Sequence, residues 1–180
     1  MRLQLLKAKN NMTKDKLKKQ EIGTGIKLDI LENRAKKVYL SLGSNLGNKK
    51  KNLEKAKFCL QETKYIHIIK SSNYYVTPSW PNKKNPFFLN IVIEIRTNLA
   101  PYNLYKTVKN IETFLGRKKS IKNSPRTCDI DILDYDQKKI VTKPYLDKLI
   151  IPHPRLHTRN FVLLPLFEIA KKWKHPKLGR

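Results

Sequence analysis

The chain is short of several things, and each shortage narrows the reading. Cys59 and Cys128 are its only cysteines among 180 residues. Two thiols build no disulfide framework, which points to a reducing compartment. No apolar run approaches the roughly 20 residues that a bilayer-spanning helix needs. The longest, Phe161 to Ala170, is broken by Pro165 and Glu168. The first residues lack the apolar core and small-residue cleavage site of a secretory signal. These absences predict a cytoplasmic protein with no membrane partner. No internal repeat is present, which argues against a solenoid. Acids are scarce as well: 14 Asp and Glu stand against 39 Lys and Arg, for a net charge of +25. Arginine is itself scarce, at 8 against 31 lysines. The lysines are spread along the whole chain, unlike the clustered charge of a nucleic-acid groove, so no nucleic-acid partner is expected. The retained arginines say more. Arg117, Arg126, Arg155 and Arg159 sit in or beside the motifs below, and a guanidinium makes bidentate contacts that lysine cannot copy.

What is present is enough apolar side chain, 39% of residues, for the core of one ordinary domain. Residues 1–36 are lysine-rich and weakly periodic, and read as an extension of uncertain order ahead of a domain at 37–180. Within the domain, Val38 to Leu42 predicts a strand. A helix follows from about Asn48 to Glu62, with Leu53, Ala56 and Leu60 on one stripe. Ile66 to Val76 predicts a second strand, and Thr77 to Pro86 a proline-punctuated loop. Phe87 to Thr97 alternates strongly and predicts a third strand. Pro101 to Leu115 predicts a helix between an Asn98 cap and a Gly116 stop. A further strand and a C-terminal apolar helix near Phe161 to Ala170 complete the pattern. The fold class is α+β. The order β-α-β-β-α-β is the split arrangement of a ferredoxin-like sheet with helices on one face.

The further strand carries the most chemistry. In Ser124-Pro125-Arg126-Thr127-Cys128-Asp129-Ile130-Asp131-Ile132-Leu133 the apolar residues alternate with two acids. Side chains along a strand point alternately to opposite faces, so Asp129 and Asp131 share one face. Two carboxylates this close repel each other, and a hard divalent cation such as Mg²⁺ relieves the conflict. Arg126 adds a planar cation suited to phosphate. Carboxylates, Mg²⁺ and arginine are the parts of phosphoryl transfer. The plainer alternative is a strand with one solvated face.

Three more constellations matter. Gly43-Ser44-Asn45 ends the first strand; no Gly-Lys-Ser/Thr follows, so it is no Walker loop, and taken alone a tight turn with a helix cap is its favoured reading. Thr77-Pro78 precedes Pro86-Phe87-Phe88-Leu89-Asn90, where Phe88 and Asn90 share a strand face. A ring beside an amide can stack on a flat heterocycle and bond its edge; a simple cross-strand pair is the alternative. Ile151-Pro152-His153-Pro154-Arg155, with Arg159 and Phe161 after it, places a histidine between prolines in an extended, exposed loop near two arginines. That is either a surface histidine or part of a phosphate site.

In order and spacing, Leu42 to Gly47, Phe88-Leu89-Asn90, Ile111-Glu112 with Leu115-Gly116-Arg117, Pro125 to Leu133, and Ile151 to Arg155 resemble the 6-hydroxymethyl-7,8-dihydropterin pyrophosphokinases of folate biosynthesis. The resemblance covers roughly residues 37–175 and implies the ferredoxin-like fold. It implies that pyrophosphate moves from ATP to the pterin hydroxymethyl group, releasing AMP. By resemblance, Asp129 and Asp131 would hold two Mg²⁺ ions, and Arg117 and Arg126 would grip phosphates and serve the chemical step. Glu112, Ile132, His153 and Arg159 would lie on the nucleotide side. Gly43, Thr77, Pro78, Trp80, Phe88, Asn90 and Phe161 would form the pterin side, with Phe88 and Phe161 as a sandwich. A monomer is expected. The family often has Trp-Gly before Pro-Arg-Thr; here Ser120 to Ser124 is shorter and lacks the tryptophan, which puts closure of that loop over ATP in question. A binding-only relative of these enzymes and a ferredoxin-like RNA-binding module are the competing readings. An RNA platform would need aromatics on adjacent central strands, where this chain offers two aspartates.

Overall fold

A computed structural model describes residues 35–117, 124–142 and 148–179. The reading of 1–36 as an extension therefore lies almost wholly outside the described residues, and so does the loop at 118–123. Lys36 already belongs to the first strand, β1, Lys36–Ser44.

Helix α1 spans Lys49–Gln61. It starts because the Asn48 carbonyl oxygen of the side chain accepts from Lys51 N–H at 3.0 Å, satisfying a donor that the first turn leaves free. Strands β2, Ile66–Ser71, and β3, Tyr75–Thr77, follow, then β4, Phe88–Thr97. The expected single strand from Ile66 to Val76 is thus two. The Ser72 hydroxyl accepts from Val92 N–H at 3.0 Å, replacing a backbone acceptor and breaking the ladder between β2 and β3. Helix α2 spans Pro101–Phe114. Proline sets the first turn, and Ala100, not Asn98, takes the cap position without a side-chain bond. Gly116 ends the helix region at φ 90°, a conformation that favours glycine. Strand β5 is Asp129–Tyr135, and short strands β6, Ile140–Val141, and β7, Ile150–Ile151, pair with each other. A 3₁₀ turn at Leu156–Thr158 leads into helix α3, Asn160–Ile169.

The main sheet is antiparallel in the order β2-β4-β1-β5, with β3 also on β4. One face carries Val38, Leu40, Leu42, Ile91, Ile93, Ile95, Ile130 and Ile132 and packs under α1 and α2. Each such side chain contributes about 1.5–3 kcal/mol when fully buried, so this layer anchors both helices. The opposite face reads in rows across β4, β1 and β5. Asn90, Gly43 and Asp129 form the first row, and Val92, Ser41 and Asp131 the second. A register shift at Tyr39/Leu40 then inserts Leu133, so Glu94, Tyr39 and Asp134 form the third row. Lys37 and Arg96 pair beyond it. Helix α3 lies over the middle of this face, packing Val162 and Leu166 on Tyr39, Val92 and Leu133. It leaves a polar area at each end of the strands.

Candidate active site

The first two rows, at the α3 N-terminal end, hold the candidate site. Gly43 is needed at its centre. A Cβ there would stand 2.9 Å from the Asn90 Oδ1 and 3.5 Å from the Phe88 ring, so only glycine lets both side chains approach the strand. Asn90 is buried and donates to Thr77 Oγ1 at 2.9 Å. Phe88 is half-buried. Pro78 is exposed, and the Trp80 ring stands 76% exposed at the loop tip.

Beside this pocket, Asp129 and Asp131 stand 27% and 31% exposed and are met by three guanidiniums. Arg117 donates to Asp129 at 2.5 Å and Arg126 at 3.1 Å, while Arg159 donates to Asp131 at 3.4 Å. Burial works against ionisation of Asp129, but Arg117 and Arg126 outweigh it and hold the carboxyl below its ordinary range. His153 Nε2 lies 3.8 Å from Asp131. The expected exposed histidine is in fact half-buried. Its backbone N–H donates to Leu133 O, and its Nδ1 accepts from Arg155 N–H at 3.2 Å. Burial, with Arg159 and Arg155 nearby, pushes its pKa down against the pull of Asp131. Arg159 also lies over the Phe161 ring, 5.4 Å from its centre, and Phe161 is half-buried against the second core.

Glu112 is placed differently from its neighbours. It is 2% exposed and sits beneath the site as a hub. It accepts from Ile130 N–H at 2.6 Å and from Lys109 at 2.9 Å, and pairs with Arg117 at 2.6 Å. Burial pushes its carboxyl up, with Lys109 opposing. A cleft of about 410 Å³ opens next to this hub, lined by Ile130, Asp131, Ile132, Lys109, Lys148 and His153 among others.

Asn45 is the residue whose role its motif did not reveal. It is buried, and it joins two sides of the site. Its side-chain oxygen accepts from Arg126 N–H at 2.7 Å, and its amide donates to Ser79 Oγ at 3.3 Å and Pro86 O at 3.4 Å. One side chain thus ties the Thr77–Pro86 loop to the backbone of Arg126. The signal in sequence was an asparagine directly after Gly-Ser at a strand end, which a helix cap explained as well; Asn48 takes that capping role instead.

Two carboxylates thus stand on one strand face, ringed by guanidiniums, and Asp131 lines the cleft. The chain belongs to the family of 7,8-dihydro-6-hydroxymethylpterin-pyrophosphokinases (HPPK), whose model matches residues 39–171. It is 37% identical over 134 residues to the 2-amino-4-hydroxy-6-hydroxymethyldihydropteridine pyrophosphokinase of Bacillus subtilis, covering 74% of this chain and 78% of that one. It is 39% identical over 141 residues to the Folic acid synthesis protein FOL1 of Dictyostelium discoideum, covering 78% of this chain but 20% of the longer relative. A crystal structure of Plasmodium falciparum HPPK-DHPS with pteroate superposes with a TM-score of 0.65 at 18% identity, over 81% of this chain and 41% of that one. That likeness speaks for the fold: a mixed arrangement of antiparallel sheet and helices. No helix among the described residues is long and apolar enough to cross a membrane.

Proposed function

We propose that the chain transfers pyrophosphate from ATP to the hydroxymethyl group of 6-hydroxymethyl-7,8-dihydropterin, releasing AMP, in folate biosynthesis. The observation that carries this is the Asp129–Asp131 pair, set on one strand face with Arg117, Arg126 and Arg159 upon it. The strand order β2-β4-β1-β5, with α1 and α2 on one face, supports reading the fold as a ferredoxin-like split β-α-β sheet, with α3 as its apolar C-terminal helix on the other face.

The donor set fits two Mg²⁺ ions. Among the described residues no group of three His, Cys, Asp or Glu gathers as a closed metal cluster. Mg²⁺ is commonly held by one or two carboxylates, with substrate phosphates and water completing its shell, and Asp129 and Asp131 present that pair. Bound there, the ions would neutralise charge developing on the polyphosphate and acidify the attacking hydroxyl. The protein's own part is positioning and electrostatics. Arg117 and Arg126 release their carboxylate contacts to grip the bridging and transferred phosphates. Arg159 and His153 hold the outer phosphates, and Ile132 lines the base side of the cleft. Glu112 acts through Arg117 and Lys109, which it fixes from below. Phe88 and Phe161 sandwich the pterin, Asn90 and Thr77 bond its amide-like edge, Gly43 gives it room, and Pro78 and Trp80 close the rim. The enzyme works as a cytoplasmic monomer, its domain beginning near residue 37.

The test is AMP formation from ATP that depends on the hydroxymethyl dihydropterin. Turnover at a rate set by both substrates is the expected result. ATP cleavage that is indifferent to the pterin, or none with both present, overturns the reading. Steeply salt-dependent RNA binding without ATP would favour the RNA module instead.

A further inference from the structure

The second polar area, at the α3 C-terminal end of the same sheet face, has no part in the chemistry above. It is a basin of about 820 Å³, inside the size range of small-molecule sites. Its floor is the third row, Glu94, Tyr39 and Asp134. Both acids are buried, at 6% and 1% exposure. Asp134 Oδ2 accepts from Trp173 Nε1 at 3.0 Å and Gln137 Nε2 at 2.9 Å, but Oδ1 is buried without a partner among the described residues. Glu94 has Tyr39 O–H at 3.4 Å, at the long limit for such a bond.

The rim is mostly of opposite character: Lys37, Lys70, Arg96, Lys171, Lys172 and Lys174 line the basin, while its two acids, Asp136 and Glu168, are taken up by Lys36 and Lys138 and by Asn73 and Tyr75. Yet among the described residues neither Glu94 nor Asp134 has a lysine or arginine nitrogen within 4.0 Å; the ion pairs at this end fall on Asp136. A buried carboxylate with unfilled acceptor capacity is costly. Burial accordingly pushes the Asp134 carboxyl up, with its bonds to Trp173 and Gln137 opposing, and it drives the Tyr39 hydroxyl, beside both acids, up to about 12. An acidic floor that no rim cation fills calls for a cationic head from outside. A rim rich in cations, of which Arg96 makes only a long bond to Ala35 O at 3.4 Å, calls for an anionic tail on the same molecule.

We propose that this basin is a second ligand site, for a small zwitterion. Its ammonium or guanidinium head lies on Asp134 and Glu94, and its carboxylate or phosphate tail lies on Arg96, Lys171 and Lys172. A purely anionic ligand would meet the buried acids, and a purely cationic one would have to pass the lysines; only the combined charge satisfies both layers. The site does not depend on the pyrophosphokinase reading.

The probe is arginine, with agmatine, which keeps the guanidinium and lacks the carboxylate, as its partner. The readout is the indole N–H resonance of Trp173, which is bonded to the floor; the chain has two tryptophans, and Trp173→Phe assigns the signal. Arginine should shift it saturably at millimolar concentration or below, and agmatine should bind about tenfold more weakly. Asp134→Asn should weaken arginine about tenfold or more, and Glu94→Gln is the second variant should the first fail to fold. Replacing Lys171 and Lys172 by Ala should erase the difference between arginine and agmatine. Saturating ATP and pterin should leave arginine affinity unchanged. No saturable shift with either probe at tens of millimolar, or equal arginine affinity in wild type and both acid variants, overturns the site.

Discussion

The two ends of one sheet face are built from the same strands and treat their acids in opposite ways. At the α3 N-terminal end, Asp129 and Asp131 are met by Arg117, Arg126 and Arg159. At the other end, three residues along the same strand, Asp134 is more deeply buried and, among the described residues, takes its side-chain hydrogen bonds from the neutral donors Trp173 and Gln137. The difference lies in which elements reach each row. The active end is approached by the segment after α2, by the segment leading into β5 and by the residue before α3, and each delivers an arginine. The far end is approached by the close of α3 and its lysines, whose long, strongly hydrated heads stay at the rim. In the proposed reading, fixed guanidiniums make a pair of carboxylates ready for a polyanion, whereas unfilled carboxylates under a lysine rim do not.

The largest effect should come from removing an acid at the active end. Asp129→Ala or Asp131→Ala should lower pyrophosphate transfer by about a thousandfold or more, roughly 4 kcal/mol, the scale of losing one preorganised electrostatic contact. Both side chains are partly exposed and outside the apolar core, so unfolding by urea should show the fold intact. Asp134→Asn, on the same strand, should leave turnover unchanged. If Asp131→Ala keeps near wild-type activity at saturating Mg²⁺, the contrast between the two ends is lost.

Next comes the hub beneath the arginines. Glu112→Gln keeps the shape but strips the charge that Arg117 and Lys109 share. Breaking a buried ion pair in this way costs about 3–5 kcal/mol, and the stability curve and kcat should fall together. A variant with unchanged stability would mean that Arg117 is held by Asp129 alone.

These contrasts were unevenly legible in the sequence. Alternation put Asp129 and Asp131 on one face, and the stripe Leu53, Ala56, Leu60 put α1 on the core. Such features depend only on a period and a neighbour. The rest depended on side chains meeting across the sheet. Glu112 sits on the buried stripe of α2 with Val108 and Ile111, where a glutamate reads as solvated until Ile130 N–H and Arg117 are seen around it. The break at Ser72 depends on a hydroxyl replacing a backbone acceptor from β4. The inserted Leu133 shifts the register on β1, so strict alternation misplaces Asp134 and hides the whole third row.

A smaller effect sharpens the boundary between the active end and the packing beneath α3. Phe161 is half-buried beside Val162 and Leu166, which are buried. Phe161→Ala should cost about 1–2 kcal/mol of stability, below the roughly 3–5 kcal/mol of a fully buried phenylalanine. Pterin affinity should fall by about 1–3 kcal/mol, the range for stacking a base on an aromatic ring. Urea unfolding and pterin titration on the same variant decide it. A large stability loss with pterin affinity unchanged would assign Phe161 to the core.

The smallest effect is a slope with pH at the far end. Burial raises the Asp134 carboxyl in the folded chain above its unfolded value near 3.8, with Trp173 and Gln137 only partly offsetting it. A carboxyl with a raised folded pKa binds its proton more tightly in the native state. Below the unfolded value both states are protonated and nothing is lost. As pH rises from there through the folded pKa, the native state must bury a charge that the unfolded chain ionises freely, so stability falls. Asp134→Asn removes that charge and keeps an acceptor for the Trp173 indole. The variant should therefore match wild type most closely at acid pH and become relatively more stable as pH rises, the gap levelling off above the folded pKa. Urea unfolding across that pH range measures the gap. Parallel curves would mean that Asp134 is held ionised in the native state by a partner, and that the two ends of the face treat their acids alike after all.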